Sequence, residues 1–257
     1  MIPQSRSGIF QTALKLKNEG RLYDLADKAS EDTFRGSIDR FCIIAYELRN
    51  CKKVLDIGSG AGILLSLLHE LGHECYAVDI VDNRQKFPLT FDKIEEFKIC
   101  NVEVDSLPWP DDYFDAVVCC QALEHFSHSH LPAVKEMHRM LRKEGILELD
   151  VPNVACFRNR SRLLRGKHIT YDYEKHYLYA KPILYKGMSF YPDRHNREFT
   201  KKELEILFDA AGFKSRNVSF LKSRRYRTGS EKIKSILTSF KDMATSLRKS
   251  LIGFGVK

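Results

Sequence analysis

Apolar residues recur at three- and four-residue spacing through Phe10–Asp27 and again through Ser37–Leu48 (Ile38, Phe41, Ile44, Leu48), which predicts an N-terminal helical segment over residues 1–50. Then the period changes. Lys53–Ile57 reads as a short buried strand that runs into a glycine cluster, followed by a helix over Ala61–Leu71 and a second strand over Glu74–Ile80. A third strand is expected over Phe97–Val104, ended by the turn Leu107–Asp112, and a fourth over Phe114–Cys120. Leu131–Leu141 reads as a helix stopped near Gly145, and Gly145–Val151 as a fifth strand. Strands alternating with helices imply parallel βαβ units, hence an α/β fold with a doubly wound, mostly parallel sheet.

Past Pro152 the alternation breaks, and residues 154–198 read as an insertion placed to act as a lid. Regular structure is expected again over Thr200–Ala211, where Thr200 and Glu203 have the spacing of a capping box and Gly212 the place of a C-terminal cap. Phe213–Leu221 reads as a strand. From Glu231 to Leu251 the apolar residues trace a helical stripe, so residues 222–257 are expected to form a basic amphipathic C-terminal helix. No strand is expected after Leu221, which puts the central domain at 51–221.

Charge sharpens this division. The chain carries +8, but residues 214–257 hold twelve Lys/Arg against only Glu231 and Asp242, leaving about −2 for the rest. A tail of this kind suits an anionic membrane contacted through residues 231–254, or nucleic acid, as well as a plain solvated helix. No apolar run has transmembrane length, and Met1–Gly20 lacks the apolar core of a secretion signal. The seven cysteines are odd in number and include no CxxC pair, which points to reduced thiols and a cytoplasmic setting, with no zinc or other metal site expected.

The sharpest chemical signal is Val54-Leu55-Asp56-Ile57-Gly58-Ser59-Gly60-Ala61-Gly62. Glycines allow close backbone approach to a ligand at a helix N-terminus. Asp79, at the end of the next strand, is placed to accept hydrogen bonds from ribose hydroxyls. Those features alone fit a nicotinamide dinucleotide too. Asp56 argues against it, because a carboxylate at the strand mouth repels a pyrophosphate and attracts the ammonium group of an amino-acid moiety.

These residues resemble motif I of class I S-adenosylmethionine-dependent methyltransferases, and Ala77-Val78-Asp79 is similar to their second motif. Leu107–Asp115 resembles the family's LPFPDxSFD segment, Gln121–His125 its xxLEH, Leu141–Asn153 its LRPGGxLxxxxPN, and Arg197–Phe213 the REFT…EL…AGF of small-molecule and glycan-modifying members. The resemblance covers about residues 40–221. It implies a Rossmann-like sheet and S-adenosyl-L-methionine as cofactor. It also implies that Asp56, Gly58, Gly60 and Gly62 line the methionine and ribose, that Asp79 holds the ribose hydroxyls, that Glu103 and Val104 frame the adenine, and that Gln121 lies beside the sulfonium. Asn101 and Glu103 depart from the family's GDA pattern there.

For a hydroxyl acceptor a nearby base assists proton removal, and His195 and His125 are the candidates, with His176 behind them. Each also reads as an ordinary packed or hydrogen-bonded histidine. The insertion holds six of the eleven tyrosines and, between Phe157 and Glu198, ten Lys/Arg against four acids. That lining suits a sugar, a phosphorylated small molecule or a single-stranded base. The leading expectation is methyl transfer to oxygen of a small-molecule or glycan-type acceptor, phosphorylated or lipid-linked. The alternatives are a tRNA or other nucleic-acid methyltransferase and a cofactor-binding protein without turnover.

Overall fold

The computed structural model describes residues 3, 5–170, 172–222 and 244–257. Two helices open the chain, α1 (Arg6–Asn18) and α2 (Lys28–Glu47), each started by a side chain that accepts backbone N–H groups: Ser5 from Gly8, Asp27 from Ala29 and Ser30. The alternating unit follows as β1 (Lys53–Ile57), α3 (Ile63–Glu70), β2 (Glu74–Asp79), α4 (Pro88–Phe91), β3 (Glu96–Ile99), β4 (Phe114–Cys120), α5 (His130–Met140) and β5 (Leu141–Pro152). The insertion contributes α6 (Phe157–Leu163), one helical turn at Glu174–Leu178, and the hairpin β6 (Ile183–Tyr185) and β7 (Met188–Phe190). Then come α7 (Lys201–Ala211), β8 (Ser215–Leu221) and β9 (Ser250–Val256).

Seven strands form one sheet in the order β3-β2-β1-β4-β5-β9-β8. The first five pair in parallel, and β9 runs antiparallel to both β5 and β8. Alternate residues of each strand go to opposite faces. Leu55, Val117, Leu147 and Leu251 join a core with α5 and α7, while Val54, Ala116, Val118 and Ile252 join one with α1, α2 and α3. The doubly wound, mostly parallel sheet expected from the sequence is thereby observed, and Thr200 and Glu203 form the reciprocal capping box.

The C-terminus departs from expectation. Ser250–Val256 is not the end of a helix but the seventh strand, so the central unit does not stop at Leu221. Leu251 and Ile252 are buried in the sheet and are unavailable to a membrane. Gly253 and Gly255 are what admit this strand, because a Cβ on either would stand 2.7 or 2.6 Å from the Phe208 ring of α7. Asn153 steers the chain into it, donating Nδ2 to the carbonyls of Ser246 and Arg248. The remainder of the expected helix, residues 223–243, lies outside the described residues. The third strand is also shorter than expected, ending at Ile99 because Asn101 turns the chain by accepting the Glu103 N–H.

Candidate active site

The carboxyl ends of β1, β2, β4 and β5 meet at the reversal of strand order, where open α/β sheets bind ligands. From β1 the chain enters a turn in which Gly58, Gly60 and Gly62 have φ of 73°, 54° and 69°. At Gly58 the requirement is twofold, since a Cβ there would lie 2.7 Å from that of Ala122. Gly62 then starts α3. Asp79, closing β2, accepts the Gly60 N–H on one oxygen and the Val81 N–H on the other, each at 3.0 Å. This sets the carboxylate against the glycine turn with lone pairs remaining for two hydroxyls.

A cleft of about 190 Å³ opens here, and Gly58, Asp79, Glu103, Gln121 and His125 border it. Asp56, Gly60, Gly62 and Val104 do not. Asp56 is buried behind the turn, 3% exposed, and its Oδ1 has no hydrogen-bond partner. Burial, reinforced by Asp79, pushes its pKa up to about 7. A buried carboxylate with an unpartnered oxygen fits a cationic ligand group and opposes a diphosphate, so the residues present suit the sulfonium cofactor. Glu103 borders the cleft, and its Oε2 accepts the Ser127 and His128 N–H groups at 2.6 and 2.7 Å and so also holds the segment beyond β4. Asn101, whose buried Nδ2 has no partner, and Phe190 and Tyr191 of the insertion also border the cleft. The two aromatics carry no sequence signal beyond their place in a tyrosine-rich insertion.

Beneath Gln121 lies a buried polar layer. Gln121 has φ of 55°, which is unfavourable for a residue with a side chain, and is held there by its N–H to Asp150 O at 2.9 Å and by its side-chain amide to Asp150 Oδ1. Arg40 Nε reaches Asp150 Oδ2 at 2.7 Å. Burial pushes Asp150 up to about 6 against the opposing pull of Arg40, and burial together with Asp150 holds Glu148 well above the ordinary carboxylate range.

His125 and His195 come together although they are far apart in sequence: their rings lie 5.1 Å apart, nearly perpendicular. His125 Nδ1 sits 2.9 Å from the Arg194 carbonyl oxygen, which can only accept, so Nδ1 carries the proton and Nε2 is bare in the neutral ring. Burial, then His195, keeps its pKa below the usual histidine value. His195 Nδ1 lies 3.2 Å from Glu198 Oε1, and the other Glu198 oxygen receives Asn159 Nδ2 at 2.5 Å. His125 borders the cofactor cleft; His195 borders a second cavity of about 690 Å³ lined in part by Arg162, Lys167, Tyr173 and Tyr177 of the insertion. His176 borders neither.

Comparison with known proteins bears on the family and the fold. The chain is 34% identical over 102 residues to an uncharacterized methyltransferase, YcgJ, of Bacillus subtilis, covering 38% of this chain and 40% of that protein. It is 26% identical over 208 residues to the ubiquinone/menaquinone biosynthesis C-methyltransferase UbiE of Stutzerimonas stutzeri, covering 74% and 76%. In fold it resembles the 1,6-didemethyltoxoflavin-N1-methyltransferase of Burkholderia thailandensis, solved with its substrate and S-adenosylhomocysteine, with a TM-score of 0.56 at 20% identity over 100% of this chain and 91% of that one. No helix among the described residues is long and apolar enough to cross a membrane. The family model described as a methyltransferase domain matches residues 20–218, and the chain therefore belongs to that family as an S-adenosylmethionine-dependent methyltransferase.

Proposed function

We propose that this enzyme methylates a hydroxyl group of a small-molecule or glycan-type acceptor that enters beneath the 154–198 insertion. The observation that supports this best is the histidine pair standing between two cavities, His125 at the cofactor cleft and His195 at the larger basic and aromatic one. The two rings, 5.1 Å apart, bring the linings of both cavities together. S-adenosylmethionine supplies a methyl carbon made electrophilic by its sulfonium, so the acceptor oxygen's lone pair forms the new bond as the carbon–sulfur pair returns to sulfur, and the hydroxyl proton leaves to solvent.

The chain's own residues then have three tasks. Asp79 holds the ribose at the cleft, while Asp56, buried behind the glycine turn, supplies the negative charge that draws the ammonium group toward it, fixing the methyl donor against the turn. Gln121, locked to Asp150, bounds the space where oxygen and carbon meet. His195 and His125 act on the acceptor hydroxyl and lower the cost of its deprotonation. Lys167 and the stacked pair Tyr173 and Tyr177, whose rings are 6.3 Å apart and inclined by 10°, suit an acceptor with an apolar ring face and anionic substituents.

The test is methyl transfer from labelled cofactor to a panel of hydroxylated aromatics, sugars and sugar phosphates, with the product bond located by mass spectrometry. An O-methyl product, with kcat reduced at least ~100-fold in His195→Gln, is expected. Turnover confined to RNA, or a methyl group found on nitrogen, overturns the proposal.

A further inference from the structure

The histidine pair has a third member. Glu124, from the same short helical turn as His125, is 1% exposed, and its Oε2 has no hydrogen-bond partner. An ionised carboxylate so placed lacks the compensation that buried charges require. Arg40, a buried cation whose charge acts on Glu124, is engaged by Asp150. Beside the Glu124 carboxylate stand His125 and His195, both with Nδ1 committed, to the Arg194 carbonyl and to the Glu198 carboxylate. Each therefore presents Nε2 as a lone-pair donor. One donor atom from each of the three residues lies within 4.8 Å of the others.

We infer that Glu124, His125 and His195 form a binding site for a divalent first-row cation of the zinc or manganese type, at the junction of the cofactor cleft and the acceptor cavity. Two imidazoles and one carboxylate are a donor set that such cations accept, whereas magnesium and calcium prefer all-oxygen sites. The groups behind the ligands match as well. Metal-bound histidines characteristically donate their second ring nitrogen to a carbonyl or carboxylate, and both do so here. Ligand bonds of about 2.0–2.2 Å would draw the three donors closer together than they stand, a movement within reach of side-chain rotation. Three protein ligands leave coordination positions open, as catalytic sites do. An acceptor hydroxyl taking one of them would lose its proton to solvent more readily, because the cation stabilises the resulting oxyanion.

This assignment rests on the O-methyl transfer proposed above only for what the cation does; the site itself is independent of it. Glu124 was not signalled by composition, since its partner His195 arrives from the insertion.

The test uses the full chain stripped by chelator and titrated with cobalt(II), manganese(II) or zinc(II), with S-adenosylhomocysteine binding measured on the same preparations. One equivalent of cobalt is expected, with the visible ligand-field bands of nitrogen and oxygen donors. Its affinity should fall at least about tenfold in Glu124→Gln and in His195→Gln, with S-adenosylhomocysteine binding retained. Should Glu124→Gln fail to fold, the half-buried His195→Gln carries the comparison. No saturable uptake, uptake unchanged in both variants, or a sulfur-to-cobalt charge-transfer band showing that cysteines bind the ion would overturn the site. S-adenosylhomocysteine binding without cobalt removes the cation and leaves methyl transfer standing; cobalt without S-adenosylhomocysteine does the reverse.

Discussion

The cleft at the sheet edge and the insertion that lines the larger cavity are built on opposite principles. The cleft grows from β1, β2 and β4, where Leu55, Ala77 and Val117 are fully buried, and its turn is positioned by backbone hydrogen bonds such as Gly58 N–H to Val78 O at 2.8 Å. The insertion exposes Leu164 at 89% and Leu184 at 74%. It is held to the body by separate polar ties, Tyr185 and Lys186 to Asp105, Asn196 to the His125 carbonyl and the Arg194 carbonyl to His125, and braced within itself by Tyr177 to the His195 carbonyl and Asn159 to Glu198. A close-packed sheet resists displacement everywhere at once, whereas a segment held by a few hydrogen bonds opens by breaking them. The fixed half therefore suits an invariant cofactor, and the tied half suits an acceptor that must enter and leave.

Removing residues 250–257 gives the hardest test of this contrast. The truncation takes β9 from between β5 and β8 and exposes Phe208, so no cooperative thermal transition should remain; a cooperative melt would show that the sheet closes without its seventh strand. Asp79→Ala comes next. Two hydrogen bonds to a charged acceptor contribute about 1.5–3 kcal/mol each, so calorimetric affinity for S-adenosylhomocysteine should fall by about 100-fold or more while the circular dichroism spectrum is kept. Unchanged affinity would refute the ribose assignment.

A smaller effect is expected from pH. Asp56 is protonated in the ligand-free protein below about 7, and the ammonium group requires it ionised, so affinity should fall by up to about tenfold per pH unit below that point, with a proton released on binding. The same raised pKa means that the free native state binds more protons than the unfolded chain. Its contribution to stability is therefore lost as pH rises from the ordinary carboxylate range towards 7. Affinity that is flat between pH 5 and 7 would separate Asp56 from the ammonium. The smallest effect belongs to the insertion: Tyr173→Ala should change urea stability by no more than about 0.5 kcal/mol and S-adenosylhomocysteine affinity by less than about twofold. A loss above about 1 kcal/mol would mean that the insertion is as integral to the fold as the sheet.

Legibility in the sequence followed the same division. The strand–turn–helix of Lys53–Glu70 was readable because consecutive residues encode it, and Asp79 because it ends the adjoining strand. Thr200, Glu203 and Gly212 announced the bounds of α7 for the same reason. β9 was hidden. Its two glycines carry little strand propensity, and the apolar stripe running up to Leu251 has helical period, so only the long-range pairing with β5 and β8 identifies it. The tie from Glu103 to the Ser127 and His128 amides was hidden for a related reason, since residues more than twenty positions apart in sequence meet only in the folded chain.

What the sequence determined by itself was local: the period of each element, its caps, and the glycine turn with its flanking acids Asp56 and Asp79. Tertiary structure alone decided which distant groups share one volume. It set His195 against His125, left the Glu124 oxygen buried without a partner, and drew the last seven-residue strand into the middle of one sheet edge. The physical reason is that short-range preferences are written in neighbouring residues, whereas burial and electrostatic company depend on how the whole chain closes around them.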